Sequence, residues 1–83
     1  MNPRVSKVTP LEEYKLRIEF NNGETGEYDC TPLLEFGVFK ELKNVQYFKS
    51  VTVVGGTVAW PNEQDICPDT LYLDSIRLSE KRA

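Results

Sequence analysis

"YKLRIEFNNGETGEYDC", residues 14–30, decides the fold of this chain. Tyr14, Leu16, Ile18 and Phe20 alternate strictly with Lys15, Arg17 and Glu19, the two-residue period of a strand with one face in the core and the other in water. Asn21-Asn22-Gly23 then reads as a turn. Its length sets the register, because a slip of one residue sends every side chain to the opposite face. A two-residue turn at Asn22-Gly23 sets Ile18 opposite Glu27. A three-residue loop with Gly23 in the left-handed region instead sets Ile18 opposite Gly26, Leu16 opposite Tyr28 and Tyr14 opposite Cys30, which keeps one face apolar and is therefore expected. On the outer face this register puts Arg17 across from Glu27 and Lys15 across from Asp29, pairs that contribute roughly 0.2–1 kcal/mol each. Lys15 and Arg17 thus belong to a charge-matched, solvated face rather than to a basic binding stripe.

Outward from the hairpin, Arg4–Thr9 is a short strand that Pro10 ends or displaces to an edge, since proline cannot donate to a ladder. Downstream, Thr31 is expected to cap a helix that starts at Pro32 and ends at Gly37. Phe39–Leu42 and Val45–Phe48 follow as short helical stretches with Asn44 as the cap between them. Leu33, Leu34, Phe36, Val38, Phe39, Leu42, Val45 and Phe48 are expected to cover one side of the sheet, and the functional alternative for them is an aromatic-rich ligand groove. Gly55-Gly56 marks a second hairpin with a two-residue turn, which sets Val53 opposite Val58 and Val51 opposite Trp60. Trp60 then closes a core stripe, and its indole N–H needs an acceptor. A phosphate cradle at the glycine pair is excluded by context, because it needs a helix N-terminus and a strand follows here.

The stretch "WPNEQDICPDTLYLD", residues 60–74, holds the only Trp and the carboxylates Glu63, Asp65, Asp69 and Asp74 without a Lys or Arg. Pro61-Asn62 reads as a turn and Ile66-Cys67 as an apolar pair tucked inward. Pro68 starts a helix whose Leu71, Tyr72, Ser75 and Ile76 lie on the sheet. The spacing does not match a calcium loop of the helix-loop-helix type, which needs alternating ligands and a central Gly. A glycosidase carboxylate pair needs a cleft that so short a chain can barely build. Asp69 is explained by the orphan N–H groups and dipole of a helix start. The segment is therefore read as a structural strap, with Glu63, Asp65, Asp69 and Asp74 as the candidate interaction surface.

An 83-residue chain buries only about 60% of its unfolded surface, enough for one modest core. One α+β domain is expected over residues 1–78, with 79–83 as a frayed tail. Its 40% hydrophobic and 28% charged residues are ordinary for a globular domain. A net charge of -3 weighs against direct nucleic-acid binding, which relies on Lys and Arg neutralising phosphates. No apolar run approaches the roughly 20 residues of a membrane span or follows Met1 as a signal peptide, so the expected location is the cytoplasm. Two cysteines are too few for a disulfide framework. The absence of His removes the usual zinc sets, His acid-base chemistry and the Ser-His and Cys-His pairs. No catalytic residue, cofactor or metal is expected.

Two stretches carry a resemblance: "PRVSKVTPLEEYKLRIEFNNGETGEYDCTPLLEFGVFKELKN", residues 3–44, and "GGTVAWPNEQDICPDTLY", residues 55–72. Both resemble the bacterial family catalogued as domain of unknown function 2442. The signature is Gly-Gly, Trp60-Pro61-Asn62, an Asp, and Pro68-Asp69-x-Leu71-Tyr72; Glu63 stands where the family commonly has Gly. The resemblance implies a small α+β protein without an established activity, found alone, ahead of helix-turn-helix domains, or beside short genes in arrangements that suggest toxin-antitoxin or regulatory pairs. No catalytic residues carry over, and no helix-turn-helix domain is expected in this chain. The fold expected is a small antiparallel sheet of two hairpins plus an N-terminal strand, with short helices packed on one face. The function expected is a non-enzymatic protein-interaction module, the acidic member of a pair with another small, basic protein, with no nucleic acid or membrane bound directly. The alternative is a small-molecule or metal-binding domain that uses the acidic segment 63–74.

Overall fold

The computed structural model of the chain describes residues 2–77. The central hairpin joins β2 (Lys15–Phe20) to β3 (Thr25–Asp29), with Leu16 opposite Tyr28, Ile18 opposite Gly26, Arg17 opposite Glu27 and Lys15 opposite Asp29. This is the register of the three-residue loop, and Gly23 takes the left-handed φ of 89°. Leu16, Ile18, Phe20, Tyr28 and Cys30 are accordingly buried. β1 (Val5–Pro10) pairs antiparallel with β2, with an irregularity between Val5 and Lys7. Pro10 sits at the end of β1, on an edge of the sheet, where no donor is missed.

β2 begins one residue later than the alternation suggests. Glu12–Tyr14 forms a single 3-10 turn, in which Glu13 (φ 63°) and Tyr14 (φ 62°) are both left-handed. Tyr14 still follows the expected register, since its carbonyl accepts the Cys30 N–H at 2.9 Å. A 3-10 turn at Thr31–Leu33 follows, but Thr31 is not its cap: the Thr31 N–H donates to Asp29 Oδ1 at 2.9 Å, and Cys30 occupies the capping position. Gly37–Lys43 is 3-10 helix and α1 is Val45–Phe48, with Asn44 Oδ1 accepting the Gln46 N–H at 3.0 Å as its cap. Of the apolar residues expected over the sheet, Leu34, Leu42 and Phe48 are buried, whereas Phe36, Val38 and Val45 face solvent. Val38 lies in the 3-10 helix, which brings every third residue onto one line, so its apolar stripe is narrower than an α-helix provides.

β4 (Thr52–Val54) and β5 (Thr57–Ala59) pair through a two-residue turn, with Val53 opposite Val58. Gly55 and Gly56 have φ of 58° and 84°, the two positive values that such a turn requires. Two further strands lie outside the sequence reading: β6 (Asp65–Ile66) pairs with β5, and β7 (Ile76–Arg77) with β3. The strands form two sheets rather than the one expected, ordered β1-β2-β3-β7 and β4-β5-β6, because the two hairpins do not pair with each other. The Val5 N–H links them by donating to Gly56 O at 2.9 Å. α2 (Pro68–Asp74) ends before Ser75-Ile76, because residue 76 pairs with Glu27 instead of continuing the helix. One core joins all these parts, with Ile18 and Phe20 from the first sheet, Val58 and Trp60 beside the second, and Leu42, Phe48 and Leu71 from the helical pieces. The fold is α+β. The expected tail, 79–83, lies outside the described residues.

Candidate functional site

The strap starts at Trp60, which is 3% exposed and donates its Nε1–H to Phe48 O at 2.9 Å. Pro61 and Asn62 then turn the chain: Glu63 N–H reaches Trp60 O at 3.0 Å, and Trp60 N–H reaches Gln64 O at 2.9 Å. Glu63 takes φ 74° in this turn, the left-handed region that favours glycine. Asn62 Nδ2 donates to both carboxylate oxygens of Glu41, at 2.9 and 2.8 Å, and its N–H donates to the Tyr47 hydroxyl at 2.8 Å. Gln64 is 2% exposed; its Oε1 accepts from the Tyr47 hydroxyl at 2.6 Å, while its Nε2 donates to Val38 O at 2.9 Å and Glu41 Oε1 at 3.0 Å. The polar groups of exposed Asn62 and buried Gln64 are therefore occupied in tying the strap to residues 38–47. Glu41, Tyr47 and Gln64 were not legible as a cluster, because they are distant in sequence and belong to no local motif.

The second half ties back to the first hairpin. Leu71 is fully buried, and the Tyr72 ring meets Phe20 edge-on at 5.1 Å while its hydroxyl donates to Glu24 Oε1. Ile66, in β6 of the second sheet, is buried, but Cys67 faces solvent rather than tucking inward, because strand alternation turns successive side chains to opposite sides. Cys30 is the buried thiol, and burial, aided by the Asp29 charge, pushes it up to about 12. Both cysteines are free.

Glu63, Asp65, Asp69 and Asp74 are all exposed. Asp69 lies in the first turn of α2, where the helix dipole favours a carboxylate, and its Oδ1 accepts from Asn2 Nδ2 at 3.3 Å. It is not the cap, a position that Cys67 holds without a side-chain bond. Asp74 ends the same helix, where the dipole disfavours negative charge, and it adds to the burial that raises the Tyr28 hydroxyl above its ordinary value. Among the described residues, Glu63, Asp65 and Asp74 make no ion pair, and no three carboxylates or thiols are gathered closely enough to hold a metal ion. Leu73 and Ile76, in the same part of the chain, are 66% and 70% exposed. Among the described residues, no helix is long and apolar enough to cross a membrane.

The chain belongs to the family described as "Protein of unknown function (DUF2442)", whose model matches residues 5–77. The match runs from β1 to β7 and includes the whole strap. No curated protein and no solved structure matches the chain.

Proposed function

We propose that this chain is a cytoplasmic, non-enzymatic protein-interaction module that receives a small basic protein along residues 63–76, as the acidic member of a regulatory or toxin-antitoxin pair. One observation carries the reading: Glu63, Asp65 and Asp74 are exposed and without ion pairs among the described residues, in the same stretch as exposed Leu73 and Ile76. Surface carboxylates of this kind raise the rate of encounter with an opposite charge, while neighbouring apolar groups supply contacts that slow dissociation. The polar side chains of exposed Asn62 and buried Gln64 are already bonded to Glu41 and Tyr47, which assigns them to the scaffold.

The test begins with a pull-down from a lysate of the source organism, identification of the partner, and stopped-flow association of the purified pair. Association should slow by about tenfold or more between low and physiological salt. Replacing Glu63 and Asp65 with Gln and Asn should reproduce much of that slowing with an unchanged circular dichroism spectrum. Leu73→Ser should act mainly on dissociation. A partner whose association ignores both salt and the double replacement overturns the proposal.

A further inference from the structure

A second feature stands apart from the acidic strip. Between the β1–β2 connection and α1 lies a half-open groove of about 480 Å³, within the size range of small-molecule sites. Its apolar lining comes from Leu11, Val45 and the rings of Tyr14 and Phe48, which meet edge to face at 5.4 Å. Its charged lining is Glu12, Glu13 and Lys49. Among the described residues, none of these three side chains is engaged in an ion pair or hydrogen bond.

One wall of the groove is fixed in an unfavourable conformation. Glu13 and Tyr14 are consecutive left-handed residues, a state that side chains with a Cβ avoid and that persists only where the surroundings impose it. Three bonds impose it here: Leu11 N–H to Lys15 O at 2.7 Å, Cys30 N–H to Tyr14 O at 2.9 Å, and the Tyr14 hydroxyl to Lys43 O. The groove is thus preformed on that side, which lowers the ordering cost of filling it.

We infer that this groove binds a small organic cation, an amine carried on an apolar body about the size of one aromatic ring. Two carboxylates against one ammonium give the lining a net negative charge, and aromatic rings attract a cation to their faces. The apolar lining accommodates the body. This inference is independent of the docking strip proposed above, since the two share no residue.

The experiment titrates 2-phenylethylamine into the nitrogen-15-labelled full chain and follows amide shifts. Saturable shifts are expected at residues 11–14 and 45–49. 3-Phenylpropionate, with a similar body and the opposite charge, should bind about tenfold more weakly. The double variant Glu12→Gln/Glu13→Gln should weaken the amine about three- to tenfold, whereas Lys49→Gln should not weaken it. Val45→Trp, a change at an exposed position, should fill the groove and suppress the shifts. Shifts that fail to saturate by about 20 mM, a weak limit for a ligand this small, overturn the inference. So do shifts that map elsewhere, a carboxylate that binds as well as the amine, or indifference to the double glutamine variant.

Discussion

Trp60 joins the two halves of the molecule through one side chain, with its ring beside Phe48 at 6.1 Å and its N–H on the Phe48 carbonyl. Trp60→Ala should therefore cost roughly 3–5 kcal/mol, measured by urea unfolding, because it opens a cavity and also leaves that carbonyl without its indole donor. Emission of the native protein should be blue-shifted and protected from quenchers; a red, quenchable spectrum with little loss of stability would place Trp60 on the surface instead. Three residues later, Glu63 occupies a left-handed position that costs a residue with a Cβ about 1–2 kcal/mol. Glycine relieves that strain but adds chain entropy to the unfolded state. Glu63→Gly should thus stabilise the domain by about 0.5–1 kcal/mol, seen as a higher urea midpoint at unchanged slope. A destabilised variant would mean that the Glu63 side chain does more for the fold than its exposure suggests.

At the scale of elements, the place where α2 and β7 meet β3 depends on a missing side chain. A Cβ built on Gly26 would lie 2.7 Å from Ser75 Oγ, closer than packed atoms allow, and 3.1 Å from Ser75 Cβ, a tight contact. Gly26 also faces Ile18 in the central pair, so the hairpin cannot easily retreat. Gly26→Ala should therefore destabilise by about 1–3 kcal/mol. The double change Gly26→Ala/Ser75→Gly should recover part of the loss, with a coupling of roughly 1 kcal/mol in a thermal or urea double-mutant cycle. Strictly additive losses would show that the contact is not what sets the distance between α2 and the hairpin.

For the whole molecule, pH acts through a few groups whose surroundings differ from water. Hydrogen bonds from the Thr31 side chain and backbone, with a smaller contribution from the Lys15 charge, hold Asp29 below its ordinary value. A depressed carboxylate contributes stability that is present above its ordinary value of 3.8 and is lost as the pH falls through the lower folded-state value. Cys30 acts with the opposite sense. Burial raises it from 9.0 to about 12, so the folded state keeps a proton that the unfolded chain releases, and stability declines as the pH rises across that interval. Tyr28, raised chiefly by burial, adds to the decline above 10.0. The melting temperature should fall between pH 9 and pH 11, and more shallowly in Cys30→Ala than in the parent. Equal slopes would remove Cys30 as a cause.

The sequence by itself determined the elements whose partners are close along the chain. Alternation from Leu16 to Phe20 with Gly23 in the loop admitted one register that buried an apolar face, and Gly55-Gly56 and Asn44 marked a turn and a cap from their own local chemistry. The same locality made Trp60 legible as core, since the glycine turn places it two residues beyond Val58 on the same buried face. Only the tertiary structure decided the rest. Residues 65–66 and 76–77 are too short to show a period, and they became strands because β5 and β3 offered open edges. Glu41, Tyr47, Asn62 and Gln64 converge only once the strap has folded over residues 38–47. The groove beside Tyr14 exists because two left-handed residues are held in place by Lys15, Cys30 and Lys43, partners that no local pattern connects. Hairpin registers rest on local geometry and one apolar face, whereas straps, second edges and grooves rest on contacts between distant residues, which take form only in the packed chain.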